Sequence, residues 1–182
     1  MVLKIIIIVA VIALVSVALL YNKGINLRNY VKEAFATMDV YLKKRWDLIP
    51  NLVETVKGYK EYEKNVLENI IEIRSKGYSD LSNKEKMEIN KRLSLGLANL
   101  IAVAENYPEL KANENFKKLM DELSAIEEDI ANSRKYYNGC VREYNTLIEV
   151  FPANIIMPIF GFKQEQFFEI DNDQRNNVRV SL

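Results

Sequence analysis

Apolar positions recur with helical spacing along nearly the whole chain. From Asn26 to Gly77, Val31, Phe35, Met38, Leu42, Ile49, Leu52, Val56, Tyr59, Val66, Ile70 and Ile73 trace one stripe at steps of three, four or seven. Pro50 falls inside that stripe, where a proline removes a hydrogen bond and crowds the preceding turn. Asp47-Leu48-Ile49-Pro50 therefore reads as a kink, or as a tight turn with Pro50 opening a new helix at its first position. Gly77 ends the stretch, and Ser82 followed by Glu85 forms a capping-box signature for the next helix. Leu93, Leu97, Leu100, Ile101 and Ala104 carry that helix until Pro108 stops it near Tyr107. Asn113 is placed to cap the last long helix, whose stripe runs Phe116, Leu119, Leu123, Ile126, Ile130, Tyr137, Val141, Tyr144, Leu147, Phe151 before Pro152 closes it. No alternating strand pattern of useful length is present.

The N-terminus follows a different rule. Ile5 to Leu20 is apolar except for Ser16, with Lys4 in front and Tyr21, Asn22 and Lys23 behind. As a helix this run spans roughly 25 Å, at the short end for a bilayer, with Lys4 able to snorkel and Tyr21 suited to the interface. A secretory signal is the alternative, but its small-residue site, Ser16-Val17-Ala18, lies inside the run rather than after it. The chain accordingly divides into a short tail 1–4, a transmembrane helix 5–21, a helical bundle 22–151, and an apolar segment with a polar tail 152–182. Lys23, Arg28, Lys32, Lys43, Lys44 and Arg45 follow the span, against Lys4 before it, which favours a cytoplasmic bundle and an outside N-terminus.

The expected fold is all-α: an N-terminal transmembrane helix followed by an antiparallel four-helix up-and-down bundle. With a turn at 47–50 the helices cover roughly 27–46, 50–77, 84–107 and 114–151, or about 30, 42, 36 and 57 Å. Short connections make neighbours antiparallel, so the segment from Phe151 to Phe168 returns towards the membrane. It holds Ile155, Ile156, Met157, Ile159, Phe160, Phe162, Phe167 and Phe168, too few to span a bilayer. Packing on the bundle base is expected, with interfacial contact as the further hypothesis. A continuous helix from Asn26 to Gly77 is the competing arrangement. It places Leu42 and Val56 about 21 Å apart along one axis and sends Phe151 far from Tyr21.

Composition narrows the chemistry. Among 182 residues there is no histidine and one cysteine, Cys140. His-based triads, the usual zinc sites and internal disulfides are thereby excluded. Lys plus Arg equals Asp plus Glu at 25 each, without the basic excess that nucleic-acid binding favours. Glu127-Glu128-Asp129 lacks the Glu-x-x-His partners of di-iron bundles and reads as a solvated acidic face. Lys43-Lys44-Arg45 fans around a helix and is matched by Asp39 and Asp47. Cys140, between Gly139 and Val141, reads as a small buried residue. Arg45 and Glu63 are polar positions on the first stripe. They reflect a register off by one position, or ends that reach solvent, or a buried or half-buried ion pair that fixes register.

Several motifs, in order, resemble the LemA family. Arg45-Trp46-Asp47-Leu48-Ile49-Pro50-Asn51-Leu52-Val53 is similar to the family's R-x-D-L-I-P-N-L-V segment, and the likeness continues through Val56-Lys57-Gly58-Tyr59, Glu63 and Arg74. It resumes at Ala104-Glu105-Asn106-Tyr107-Pro108-Glu109-Leu110-Lys111-Ala112-Asn113, then Phe116, Leu119 and Glu127. It closes with Arg134, Tyr137-Asn138, Val141, Tyr144-Asn145 and Phe151-Pro152. Tyr62 stands where relatives tend to carry His, so any metal or proton role of that His is lost here. The resemblance implies a bacterial protein with one membrane helix and a four-helix bundle. Some relatives are associated with magnetosome formation, which points to membrane organisation.

Two classes of function follow. The favoured one is a non-enzymatic, membrane-anchored interaction or scaffold protein with a protein partner or self-association, and no nucleic acid. The rival is a small-ligand binder or enzyme using an Arg/Tyr/carboxylate pocket at the bundle end, lined by Arg45, Asp47, Glu105 or Tyr107. No catalytic, cofactor or metal residues are assigned, and no cofactor is expected. The structural or interaction candidates are Arg45, Asp47, Pro50, Glu63, Glu105, Tyr107, Tyr137, Asn138, Tyr144 and Asn145, with Arg45 and Glu105 expected at the same end of the bundle.

Overall fold

The computed structural model describes residues 1–58, 71–73, 77–104 and 106–169. Every regular element among them is helical. Helix α1 is Val2–Lys57, α2 is Asn83–Ala104, α3 is Pro108–Ala112, α4 is Glu114–Glu149 and α5 is Ala153–Ile156; short 3-10 turns cover Tyr78–Asp80 and Met157–Phe160. The chain forms two units: Met1–Met38 with Asn132–Phe168, and Asp39–Ala131 with Glu169–Leu182.

The turn expected at Asp47–Pro50 does not form. Helix α1 has 56 residues and carries Pro50 inside it, so Leu42 and Val56 lie about 21 Å apart along one axis. The reason is the phase of the stripe. Leu42, Trp46, Ile49, Leu52, Val53 and Val56 are all buried on one face, and that face passes Pro50 without a shift. An interior proline costs about 3 kcal/mol. Burying a large apolar side chain contributes about 1.5–3 kcal/mol, so several such residues on either side of Pro50 outweigh it.

In the unit containing residues 39–131, the expected signals at helix ends are present. The Ser82 N–H donates to Glu85 Oε2 at 2.9 Å, and the Glu85 N–H donates back to Ser82 Oγ at 3.3 Å. Asn113 Oδ1 accepts the Phe116 N–H at 3.0 Å, and Pro108 stands in the first turn of α3. Leu93, Leu97, Leu100, Phe116, Leu123, Ile126 and Ile130 are buried as their spacing demands. Tyr59, Glu63, Val66, Ile70 and Glu105 lie outside the described residues.

In the other unit, the first part of α1 is a bare apolar rod. It is long and apolar enough to cross a bilayer, and none of that window is covered by the rest of the described chain. Val31, Ala34, Phe35 and Met38 are buried, and the Phe35 ring meets Tyr137 of α4 edge to face at 5.7 Å. The segment after α4 reaches the residue that ends the apolar run: Phe160 and Phe162 lie 5.2 and 5.7 Å from the Tyr21 ring. The return towards Tyr21 is therefore realised, although the continuous-helix alternative placed Phe151 far away. The two expectations are separable: Pro50 lies inside α1, yet Tyr78 is beside Asp39. Gly24 makes this docking possible. A methyl there would overlap Met157 Cε and come within 2.9 Å of Phe162. Two smaller expectations fail here. Phe151 falls beyond α4 and is 79% exposed rather than on its stripe, and Cys140 is half-buried rather than buried.

Because Pro50 is tolerated rather than required, Pro50→Ala is expected to leave the helical circular dichroism unchanged. It should raise unfolding free energy in urea by up to about 3 kcal/mol. A loss of stability would mean that proline shapes the chain at this point.

Candidate functional site: a buried arginine and an asparagine ladder

Helix α1 carries Arg45 into the core of its unit, where it is 1% exposed. A guanidinium in that position needs a partner for each donor. Nη2 donates to Asn90 O at 3.0 Å and Asn90 Oδ1 at 2.6 Å. Nη1 donates to Ser94 Oγ at 2.8 Å and Glu127 Oε1 at 2.5 Å. Asn90 and Ser94 sit one turn apart on α2, and Asn90 is held in turn by its Nδ2 donating to Lys86 O at 2.8 Å. Among the described residues, Arg45 Nε has no hydrogen-bond partner. One side chain thus joins α1, α2 and α4.

The reading of Arg45 as one half of a buried ion pair has the right kind of interaction; the carboxylate that meets it among the described residues is Glu127, and Glu63 lies outside them. Glu127 was assigned to a solvated acidic face; it is half-buried and bonded to Arg45, whereas Glu128 and Asp129 are exposed. The signal available was phase, since Glu127 adjoins Ile126 and Ile130 on the buried stripe. Asp47 pairs with Lys43 one turn earlier on the surface of α1, at 2.5 Å. Asp39 accepts from the Tyr78 hydroxyl at 2.6 Å and from Lys86 Nζ at 2.7 Å. Burial first, and then the Asp39 carboxylate, push the Tyr78 phenol far above the ordinary tyrosine range. Tyr107 stands at the N-cap of α3, its carbonyl accepting the Lys111 N–H at 3.0 Å. A groove of about 350 Å³ in this unit is lined by residues such as Ile101, Phe116, Met120 and Lys117, and not by Arg45, Asp47 or Tyr107. Among the described residues, no group of three acidic or cysteine side chains is placed to hold a metal ion.

The other four candidates form a second cluster, in the unit containing residues 132–168. Asn138 Nδ2 donates to Phe168 O at 3.1 Å, and the Phe168 N–H donates to Asn138 Oδ1 at 2.8 Å. Asn145 repeats the exchange with Glu165, both bonds at 2.9 Å. Beside each asparagine a tyrosine hydroxyl donates to a carbonyl at 2.9 Å: Tyr137 to Gln166 and Tyr144 to Lys163. Helix and strap are commensurate. Seven helical residues rise about 10.5 Å, and three extended residues cover about 10 Å. Positions 138 and 145 therefore meet 168 and 165 in an antiparallel register. Each asparagine amide presents a donor and an acceptor side by side, as a neighbouring strand's backbone would. Two Tyr-Asn pairs at a seven-residue spacing were visible in the sequence; their partner was not, because backbone groups carry no sequence signature.

The chemistry of both clusters is that of holding. In the ladder each tyrosine must keep its proton to donate it. Burial, and next the Glu165 carboxylate, push the Tyr137 phenol up to about 12, and burial raises Tyr144 as well.

Arg45→Met should cost about 3–5 kcal/mol in chemical denaturation, because it leaves buried acceptors without a donor. Arg45→Lys should recover little of this, since one ammonium cannot span Asn90, Ser94 and Glu127. Glu127→Gln should cost only about 1 kcal/mol, the carboxylate being partly solvated. In the ladder, Asn138→Ala with Asn145→Ala is expected to release the strap, each change removing two bonds of about 0.5–1.5 kcal/mol. Trypsin should then cut after Lys163 faster than in the unaltered chain while the helical signal persists. The tyrosines set a pH limit. Folding holds Tyr137 protonated up to about 12, whereas in the unfolded chain the phenol ionises near 10. The stability it contributes is complete below pH ~10 and is lost as pH rises from about 10 to 12. Urea midpoints measured across this window should fall, and less steeply in Tyr137→Phe.

Comparison with known proteins gives the chain's relatives. Magnetosome protein MamQ 2 of Paramagnetospirillum magneticum is 26% identical over 194 residues, covering 92% of this chain and 71% of its own. Protein LemA of Metamycoplasma hominis is 23% identical over 161 residues, covering 88% and 74%. Magnetosome protein MamQ of Magnetospirillum gryphiswaldense is 32% identical over a shorter stretch of 72 residues, 40% of this chain and 26% of its own. The LemA family pattern itself matches residues 34–182, a span holding both the arginine cluster and the ladder, and the chain belongs to the LemA family.

Proposed function

We propose that this chain is a membrane-tethered interaction protein, held by one helix through Ile5–Leu20, that presents its helical units to a protein partner or to a second copy. The observation that carries the reading is where the polar side chains are engaged. Arg45, Asp47, Tyr137, Asn138, Tyr144 and Asn145 all bond within the chain. Side chains engaged in this way stiffen a platform instead of waiting for a substrate. The bare apolar rod at the N-terminus supports tethering, and the basic residues that follow it support a cytoplasmic platform with the N-terminus outside. Three relatives bear the name magnetosome protein, and a role at a membrane is the reading proposed for this chain.

Crosslinking in native membranes followed by mass spectrometry is expected to return the chain joined to itself or to a recurrent protein. Repeated recovery of the uncrosslinked chain alone would count against the proposal. Fused at the C-terminus, green fluorescent protein should fluoresce and alkaline phosphatase should stay inactive; the reverse pattern would invert the topology.

A further inference from the structure

From Val150 to Phe162 the chain contains no charged residue. The segment nevertheless has two distinct sides. Ala153, Met157 and Phe162 are at most 4% exposed and pack inwards, Met157 and Phe162 against Gly24. Phe151, Ile155, Ile159 and Phe160 face outwards at 79, 60, 78 and 47% exposure. Four large apolar side chains within ten residues make a patch that an aqueous surface does not explain. Its position does. The Phe160 ring is 5.2 Å from Tyr21, and Tyr21 is the residue at which the exposed apolar rod of α1 ends. The patch is thus continuous with the surface that the rod offers to lipid.

The charges nearby agree with that placement. A groove of about 400 Å³ beside Val150 is bordered by Lys23 and Arg142, with Glu143 as its one carboxylate. Lys163 is exposed directly after the apolar stretch. Cations flanking an apolar face are what the phosphate level of a bilayer attracts, above the acyl boundary where Phe and Ile side chains partition.

We infer that residues 150–160 form a second membrane contact: a foot whose outer side chains Phe151, Ile155, Ile159 and Phe160 lie at the headgroup–acyl boundary of the bilayer that α1 crosses, with Lys23 and Arg142 at the phosphates. This rests on the anchoring proposed above and goes beyond it, because a tether alone leaves the segment in water. The foot fixes the tilt and rotation of its unit on the bilayer, which a lone helix does not.

The test places an environment-sensitive fluorophore on single cysteines in a Cys140→Ser background. The full chain is reconstituted in phosphatidylcholine–phosphatidylglycerol vesicles containing lipids brominated along the acyl chain. Three positions are compared: Val9→Cys in the rod, Ile159→Cys on the foot and Tyr136→Cys. Tyr136 is exposed on α4, and its distance along that helix from Glu149, where α4 ends, is about 20 Å. The three probe positions are exposed, so a label there leaves the core packing intact. The expected result is strong quenching at Val9, quenching at Ile159 several-fold above that at Tyr136, and a reduction at Ile159 when Lys23→Ala and Arg142→Ala are combined or phosphatidylglycerol is omitted. Quenching at Val9 with Ile159 no different from Tyr136 would overturn the foot while leaving the anchor intact. Loss of quenching at Val9 would overturn both. Quenching at Ile159 that ignores both lipid charge and the two cations would overturn the headgroup contact. An Ile159 probe shielded only in native membranes, and not in vesicles, would mean that a protein covers the patch and would overturn the lipid assignment.

Discussion

Helix α1 belongs to both units, and what it must preserve is the phase of its apolar face. Val31, Phe35 and Met38 serve one unit; Leu42, Ile49, Leu52 and Val56 serve the other. Within each unit, steps of three, four or seven residues keep its own set on one face of α1. A break at Pro50 would free one backbone constraint and disturb every later position on that face. The proline is absorbed because the alternative exposes several core side chains at once. The arginine cluster depends on the same phase: Arg45 reaches Asn90, Ser94 and Glu127 only because its neighbours Leu42, Trp46 and Ile49 hold that side of α1 inwards.

How far the sequence could be read follows from which interactions leave a periodic trace. The stripes on α2 and α4, the Ser82–Glu85 box and the Asn113 cap were legible, because side-chain type and spacing determine each of them. The exposed apolar run at the N-terminus was legible for the same reason. Pro50 misled because a strong local rule was weighed against the stripe without counting the side chains that the stripe buries. Glu127 was missed because three consecutive acids look alike on paper, although only one shares the inward face with Ile126 and Ile130. Gly24 gave no warning at all. Its importance comes from Met157 and Phe162, more than a hundred residues later, and no local pattern encodes such an approach.

The two polar clusters differ in what holds them together. Around Arg45 the binding is electrostatic and convergent: one cation draws acceptors from two other helices, and a carboxylate reaches it from the edge of solvent. Along α4 it is neutral and distributed, four side chains each meeting backbone groups of residues 163–168. The first arrangement fixes rotation of the helices about their axes, since a guanidinium fork tolerates little misalignment. The second sets the course of an extended segment that has few side chains of its own in the core.

That second arrangement discriminates by length and not by letter. Phe168 is buried, but residues 163–167 are exposed, and Lys163, Glu165 and Gln166 are gripped through backbone carbonyls or amides. Substitutions at 164, 166 or 167 leave every rung in place. Inserting or deleting one residue between Glu165 and Phe168, or between Asn138 and Asn145, does not: it shifts the extended segment by about 3.3 Å or swings the helix by about 100°, and one asparagine loses its mate. Such a strap tolerates a change of composition far better than a change of length. The spacing between the two Tyr-Asn pairs, more than the residues they hold, sets its register.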